Sequence, residues 1–126
     1  MQARLTLRLD FPNNTRVGHG KIRLLELVEE TGSIAAAGRA MGMSYRRAWI
    51  LVDSLNHAFR QPVIRTQPGG RRGGGAWLTS TGKSLVAEYR AMEHESLAAT
   101  QRRIRKLERT LADGARRHSN QASASR

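Results

Sequence analysis

The segment Ser44-Tyr45-Arg46-Arg47 combines side chains that suit contact with DNA. An arginine guanidinium offers two parallel N–H groups, which match the two acceptors that guanine presents in the major groove. A serine at the start of a helix leaves backbone N–H groups that bind a phosphate, and a tyrosine hydroxyl binds one too. Trp49 follows one helical turn after Tyr45. We therefore predict that Ser44, Tyr45, Arg46, Arg47 and Trp49 form a DNA-recognition helix.

A second basic segment, Gln67–Gly75, contains Arg71 and Arg72 among five glycines. A loop this rich in glycine can follow a groove of the duplex and bring both arginines to phosphates or into the minor groove. We predict DNA contacts from Arg71, Arg72 and Gly73, with Ser33 in a supporting position. A nucleotide-binding loop is a poorer interpretation, because a strand follows where that motif requires a helix.

Each interpretation has a plainer alternative. Tyr45 and Trp49 also suit a hydrophobic core, Arg46 and Arg47 a solvated helix face, and the glycine-rich segment a flexible hairpin with incidental charge. The charge distribution favours DNA. The net charge is +12, and residues 33–79 contain seven arginines but one acid, Asp53. This local excess predicts a polyanion partner. A membrane surface is the competing polyanion, but no basic helix carries bulky apolar residues on its opposite face.

The residue types that support catalysis or metal binding are absent or scattered. The chain has no cysteine, which excludes disulfides and thiolate sites. Its four histidines are dispersed, and Glu93-His94-Glu95 places neighbours on different helix faces. We predict no enzyme activity, no metal and no cofactor. No apolar run suits a signal peptide or reaches the roughly 18 residues of a membrane span. We expect a cytoplasmic protein without membrane contact.

Hydrophobic periodicity predicts the elements that position these residues. Ser33 and Ser44 are suitable N-caps, and Gly32 and Gly42 suit helix ends. Three helices followed by a hairpin form a winged helix-turn-helix, mainly α with a small β-hairpin. The predicted elements are a strand at 4–11, helices at 21–31, 33–41 and 44–59, and strands at 62–66 and 76–79.

A long last helix is predicted from about Gly82 to Ala112, after a cap at Ser80-Thr81. About 30 helical residues span roughly 45 Å, more than one small domain covers. Part of this helix is therefore expected to pack against a second subunit, unless its end is frayed and solvated. The wide apolar stripe of the first helix suggests a second buried side there as well. The predicted dimer contacts are Leu24, Leu27, Leu85, Tyr89, Met92, Ile104 and Leu107.

These elements define three predicted regions. Residues 1–80 form the winged helix-turn-helix domain, and residues 81–113 form the dimerisation helix. Residues 114–126 contain no apolar side chain larger than alanine. Such a segment cannot bury enough surface to offset the entropy of ordering it, so we expect a disordered tail.

The same residues resemble a known family. GKIRLLE at 20–26, ETGSIAAA at 30–37 and MGMSYRRAW at 41–49 are similar to the N-terminal domain of the ModE molybdenum-responsive regulators, as are GGGA at 73–76, Leu78-Thr79 and Thr81-Gly82. The similarity runs from about Leu5 to Tyr89, and a looser one links the chain to LysR-type DNA-binding domains.

The ModE resemblance implies a winged helix-turn-helix that dimerises through its first and last helices and binds a palindromic operator. Full-length members carry a C-terminal molybdate-binding region of two small β-barrel domains. No counterpart follows the long helix, so no small-molecule effector is expected within this chain. The leading hypothesis is a homodimeric, sequence-specific transcriptional regulator bound to double-stranded DNA. The alternatives are an architectural DNA binder with little sequence preference, and an interaction module that dimerises with a full-length regulator.

Overall fold

The computed structural model describes residues 3–69 and 75–112. It confirms the predicted fold class, because four helices and small two-stranded sheets make up this part of the chain. None of the helices found there is long and apolar enough to cross a membrane. The elements are β1 Arg8–Asp10, β2 Arg16–Gly18, α1 His19–Thr31, α2 Ile34–Ala40, α3 Tyr45–Ala58, β3 Ile64–Gln67, β4 Gly75–Leu78 and α4 Ser80–Glu108.

The chain divides into two compact units. Residues 6–93 form one unit, which contains α1, α2, α3, both hairpins and the first half of α4. The second unit combines α4 from His94 onward with the start of the chain. Within it the backbone N–H of Ala3 donates to Glu108 Oε2 at 2.7 Å. The predicted division at residues 80 and 113 stays a prediction, and the predicted disordered tail lies outside the described residues.

The predicted helix ends are confirmed to within two residues for α1, α2 and α3. Gly32 ends α1 with φ +71°, and its N–H donates to the carbonyl of Val28 at 2.8 Å. The hydroxyl of Ser33 accepts from the N–H of Ala36 at 3.1 Å, which caps α2. Both caps act as their residue types predict, because serine supplies an acceptor and glycine tolerates the left-handed backbone.

The first predicted strand is shorter than expected and belongs to a hairpin that the periodicity did not reveal. Only Arg8–Asp10 is extended and paired, and its partner is β2, with Leu9 opposite Val17. Asn14 makes the turn with φ +65°, a conformation that asparagine tolerates better than most residues. Val17 is fully buried, so this hairpin covers one edge of the core.

The start of α4 also differs from the prediction. Thr79, rather than Ser80-Thr81, provides the cap: its Oγ1 accepts from the N–H of Gly82 at 3.0 Å and donates to the carbonyl of Pro62 at 2.6 Å. A Cβ on Gly82 would collide with the carbonyl of Val63. Glycine is needed here because α4 begins directly against the backbone that leads into β3.

The core of the first unit draws on every helix in it. Leu24 and Tyr89 are both 0% exposed within the single chain, and the Tyr89 hydroxyl donates to the carbonyl of Leu7 at 2.6 Å. Their prediction as dimer contacts is wrong, because neither side chain reaches the surface. The stripe on α1 is wide because β4, β2 and α2 all contact that helix. The buried residues are Val17, Ile22, Leu24, Leu25, Val28, Ile34, Ala37, Ala48, Val52, Leu55, Val63, Ile64, Ala76, Leu78 and Tyr89.

Candidate nucleic-acid interface

Close backbone packing fixes the angle between α2 and α3. A Cβ on Gly38 would lie only 2.9 Å from the Cβ of Ala48, so α2 rests directly on α3. Between the helices, Gly42 adopts φ +70°, and the N–H of Met43 donates to the carbonyl of Gly38 at 3.0 Å. The hydroxyl of Ser44 then accepts from the N–H of Arg47 at 3.1 Å and caps α3. This is the helix-turn-helix that the sequence predicted.

The outward side of α3 is exposed and largely apolar. Tyr45 is 61% exposed, Ile50 52% and Trp49 37%, and Arg46 lies among them. Tyr45 and Trp49 pack edge to face, with ring centroids 6.2 Å apart. The alternative of core positions for both aromatics is therefore wrong. We call Tyr45, Arg46, Trp49, Ile50 and Asp53 the reading face.

Ile50 was missed by the sequence reasoning. A hydrophobic residue in an amphipathic helix is assigned to the core by default, yet Ile50 lies beside Trp49 on the opposite side. The core side of α3 consists of the buried Ala48, Val52 and Leu55, with Leu51 and Phe59 partly buried against the core. The helical period could have shown that Ile50 is exposed. Ile50 stands two residues from both Ala48 and Val52, which places it on a different side of α3.

The charges around the reading face are almost all positive. Within residues 33–69 and 75–79, no arginine forms an ion pair with any described carboxylate. Asp53 is the acid on this side, and it lies 3.5 Å from His57 Nδ1. Exposed guanidinium groups without carboxylate partners, concentrated in one stretch of the chain, produce a positive field that attracts a polyanion. The arginines concerned are Arg39, Arg46, Arg47, Arg60 and Arg65, and all are exposed.

Hydrogen bonds join the β3–β4 hairpin to α3, which carries the reading face, and to the end of α1. Asn56 on α3 accepts from the N–H groups of Val63 and Ile64 at 2.8 and 3.0 Å, and its amide donates to the carbonyl of Ile64 at 3.2 Å. The N–H of Ala76 donates to the carbonyl of Gly32 at 2.9 Å. These bonds fix the base of the β3–β4 hairpin relative to α1 and α3. Sequence periodicity gave no sign of the Asn56 contact.

The outer face of this hairpin is exposed. Arg65 stands opposite Trp77 in the β3–β4 register, and both side chains reach solvent. The predicted contacts Arg71, Arg72 and Gly73 lie outside the described residues.

Ser33 lies in a cleft between α3 and the hairpin. The cleft measures about 320 Å³, and Tyr45, Trp49, Thr66 and Gln67 also line it. Because the Ser33 hydroxyl is engaged in capping α2, its placement suits the predicted supporting role better than direct contact. The structure therefore brings Ser33 and the start of α3 together.

The remaining predicted dimer residues are distributed over both units. In the unit of residues 6–93, Leu27, Leu85 and Met92 are each partly exposed. Leu85 and Met92 line a groove of about 490 Å³ together with Leu9, Phe11 and Phe59. In the other unit, Ile104 is partly exposed and Leu107 is 67% exposed. That unit also exposes Leu97 and Leu111, which the sequence reasoning did not name as dimer contacts.

Charged groups on α1 and α4 pair with one another instead of facing outward alone. Arg90 donates through Nε to Glu26 Oε2 at 3.0 Å, through NH2 to Glu26 Oε1 at 2.8 Å, and through NH1 to Glu93 Oε1 at 2.6 Å. These hydrogen bonds from Arg90 lower the pKa of Glu26 below its ordinary value, although its partial burial opposes the change. The sequence analysis missed this cluster, because Glu26 and Arg90 are far apart along the chain.

Comparison with known proteins finds relatives whose names refer to molybdenum or to ModE. No protein-family model matches the chain. It is 46% identical over 87 residues to the molybdenum-pterin-binding protein MopA of Rhodobacter capsulatus, covering 69% of this chain and 33% of that protein. It is 39% identical over 101 residues to the molybdenum transport protein ModE of Azotobacter vinelandii, covering 80% and 37%.

A third relative is named for DNA binding. The DNA-binding transcriptional dual regulator ModE of Escherichia coli K12 is 32% identical over 89 residues, covering 71% of this chain and 34% of that protein. The chain spans about a third of the length of the curated relatives it matches. The ModE resemblance drawn from the sequence is confirmed for this region.

A solved structure supports the fold. The crystal structure of a CbnR_DBD–DNA complex matches with a TM-score of 0.50 and 18% identity, covering 66% of this chain and 90% of that one. At this identity the match shows the fold alone, which agrees with the winged helix-turn-helix predicted from the sequence.

Proposed function

Because this chain is homologous to the N-terminal region of the ModE-type regulators, we propose that it regulates transcription by binding a palindromic operator as a homodimer, with sequence specificity. The observation that carries the proposal is the reading face. An exposed side of the second helix of a helix-turn-helix, with Arg46 beside two aromatic rings and without a carboxylate partner among the described residues, suits the major groove.

We expect some residues of α3 to position the protein on the DNA backbone and others to recognise the base sequence. Ser44 and the first turn of α3 present backbone N–H groups and Arg47 a cation, which suit phosphates and fix the helix in register. Arg46 provides the paired donors that match guanine O6 and N7. Tyr45 and Trp49 line the same hollow as Arg46. A binder that relies on charge alone needs the cations but has no use for exposed aromatic rings, so the reading face favours sequence readout over an architectural binder of that kind.

The decisive experiment replaces the guanine-binding group. The duplex preferred by the full chain is first selected from a randomised pool, and affinity is then measured by fluorescence anisotropy. Arg46→Ala is expected to lose about 1–3 kcal/mol on this duplex and to relax the preference at one position of each half-site. Its affinity for random DNA should change much less.

Arg105→Ala is the matched control, because it removes the same charge from an exposed position on α4. It should weaken binding to all duplexes equally or not at all. Equal weakening of selected and random DNA by Arg46→Ala would contradict direct readout. Failure of the pool to yield any preferred sequence would contradict the proposed function as a whole.

The proposed homodimer uses the second half of α4. Leu97 and Ile104 lie seven residues apart on α4, and Leu107 follows three residues after Ile104. This spacing is that of the a and d positions of a coiled coil, and Leu97 and Leu107 are 43% and 67% exposed. Two copies that pair along this stripe remove the apolar surface from water and supply the two-fold symmetry that a palindromic operator requires.

A charge placed on the stripe tests the dimer. Leu107→Lys is expected to shift the sedimentation equilibrium of the full chain from dimer toward monomer, since an ammonium group would lie in the apolar seam. Binding to an operator with two half-sites should weaken at least tenfold, while binding to one half-site should persist. Ala98→Lys adds the same charge on another side of α4. This variant should still sediment with the mass of a dimer. A dimer that survives Leu107→Lys would place the interface elsewhere.

A further inference from the structure

The reading face exposes more apolar surface than its guanine-binding role explains. Arg46 alone accounts for guanine, and Tyr45 carries a hydroxyl, but Ile50 is 52% exposed and has no polar atom in its side chain. Trp49 lies directly beside it and is also partly exposed. A contiguous apolar patch on a soluble protein typically marks a surface that is covered by a partner.

The patch is held in a defined shape. The ring of Tyr45 packs edge to face against Trp49, which limits the positions open to both rings. Ile50 stands one turn after Arg46 and Asp53 one turn after Trp49, so the five residues enclose a shallow hollow on α3. The walls of this hollow nearest to Arg46 are therefore apolar.

The charges around the hollow select what can occupy it. The carboxylate of Asp53 stands at the far end, where it disfavours the approach of a phosphate. Arg46 at the near end attracts an acceptor-rich edge. A base edge in the major groove meets both conditions, and the apolar group that such an edge offers is the C5-methyl of thymine.

We propose that Trp49 and Ile50 bind the C5-methyl of a thymine in each half-site. The inference rests on the proposed function and adds a second determinant of specificity to Arg46. Four residues of helix advance about 6 Å. One base pair advances about 3.4 Å along the duplex. The thymine is therefore expected within about two base pairs of the guanine that Arg46 contacts.

Deoxyuridine provides the sharpest probe, because it differs from thymidine only by the absent methyl group. Each thymine of the selected half-site is replaced singly by deoxyuridine, and the affinity of the full chain is measured for each duplex. One or two positions near the guanine should lose about fourfold in affinity, the effect expected for one buried methyl group. Thymines outside the half-site serve as controls and should show no loss.

Ile50→Ala identifies the side chain responsible. The variant should fold, since Ile50 is on the surface, and circular dichroism checks this. It should bind the thymine duplex about as weakly as the original chain binds the deoxyuridine duplex, and it should no longer distinguish the two. Leu5→Ala also truncates an exposed aliphatic residue, one far from α3 in the sequence, and should keep the discrimination.

The possible outcomes distinguish methyl recognition from the proposed sequence-specific DNA binding on which it rests. If the chain prefers a sequence but binds every deoxyuridine duplex as tightly as its thymine counterpart, methyl recognition is overturned and the proposed function stands. If Ile50→Ala still discriminates, Ile50 does not bind the methyl group. If no duplex is preferred at all, both proposals fail, and the apolar patch belongs to a protein contact.

Discussion

Two clusters built around arginine lie in the unit of residues 6–93 and differ in how their charges are satisfied. At the junction of α1 and α4, Arg90 makes four hydrogen bonds at most 3.3 Å long, to Glu26, Glu93 and His19. On α3, Arg46 forms no ion pair with any residue that the structure describes. The same residue type is a structural clamp in one place and an open ligand-binding group in the other.

The contrast shows that the number of arginines says little about what each one does. A guanidinium with a bidentate carboxylate partner has used the fork that would recognise guanine. A guanidinium without one keeps that fork for an external acceptor. The two clusters should therefore respond oppositely to mutation: the junction in folding stability and the reading face in DNA affinity.

The largest effect on stability is expected at the junction. Arg90→Ala leaves Glu26 with 23% side-chain exposure and without its bidentate donor. The loss should be about 2 kcal/mol in the free energy of unfolding, because a partly buried charge loses its hydrogen bonds. Urea denaturation of the full chain measures it. Sequence preference on DNA, measured under conditions where the variant is folded, should not change.

Two further variants test whether the junction, and not the reading face, determines folding stability. Arg46→Ala should alter the free energy of unfolding by less than about 0.5 kcal/mol, since its side chain contacts solvent. Glu26→Ala combined with Arg90→Ala should cost less than the sum of the single changes, because the second mutation removes a charged group that the first had already deprived of its bidentate partner. Strict additivity would mean that the ion pair contributes nothing, and a stability loss in Arg46→Ala would erase the distinction between the two clusters.

Local signals in the sequence predicted the reading face better than they predicted the junction. Ser44 and Gly42 act through neighbours within five residues, so capping and turn preferences suffice to locate α3 and its exposed side. The Glu26–Arg90 pair and the burial of Tyr89 depend on how α4 folds back on α1, which no local pattern encodes.

Long-range contacts also explain the errors in the predicted dimer surface. Leu24 was assigned to a partner because α1 has a wide apolar stripe, but the β1–β2 hairpin and β4 cover that stripe within the same chain. The hairpin itself was hidden because its strands have three residues each, too few for a clear alternation. Short elements that pair with each other can only be recognised once their partner is known.

The smallest effect that still separates the two clusters is the response to acid. Arg90 lowers the pKa of Glu26 in the folded chain below the value near 4.3 that glutamate has when unfolded. A lowered folded pKa contributes stability above the unfolded value, and this contribution is lost as the pH falls through the folded pKa. As the pH falls from 7 through the folded pKa of Glu26, the original chain should therefore lose more stability than Arg90→Ala, whose Glu26 lacks the donor. Asp10→Asn is the control, since its ion pair with Arg8 is exposed and shares no group with Glu26, so the acid response should stay unchanged. If the stability difference between the original chain and Arg90→Ala stayed constant with pH, the junction would hold no linked proton, and its charges would be as free as those of the reading face.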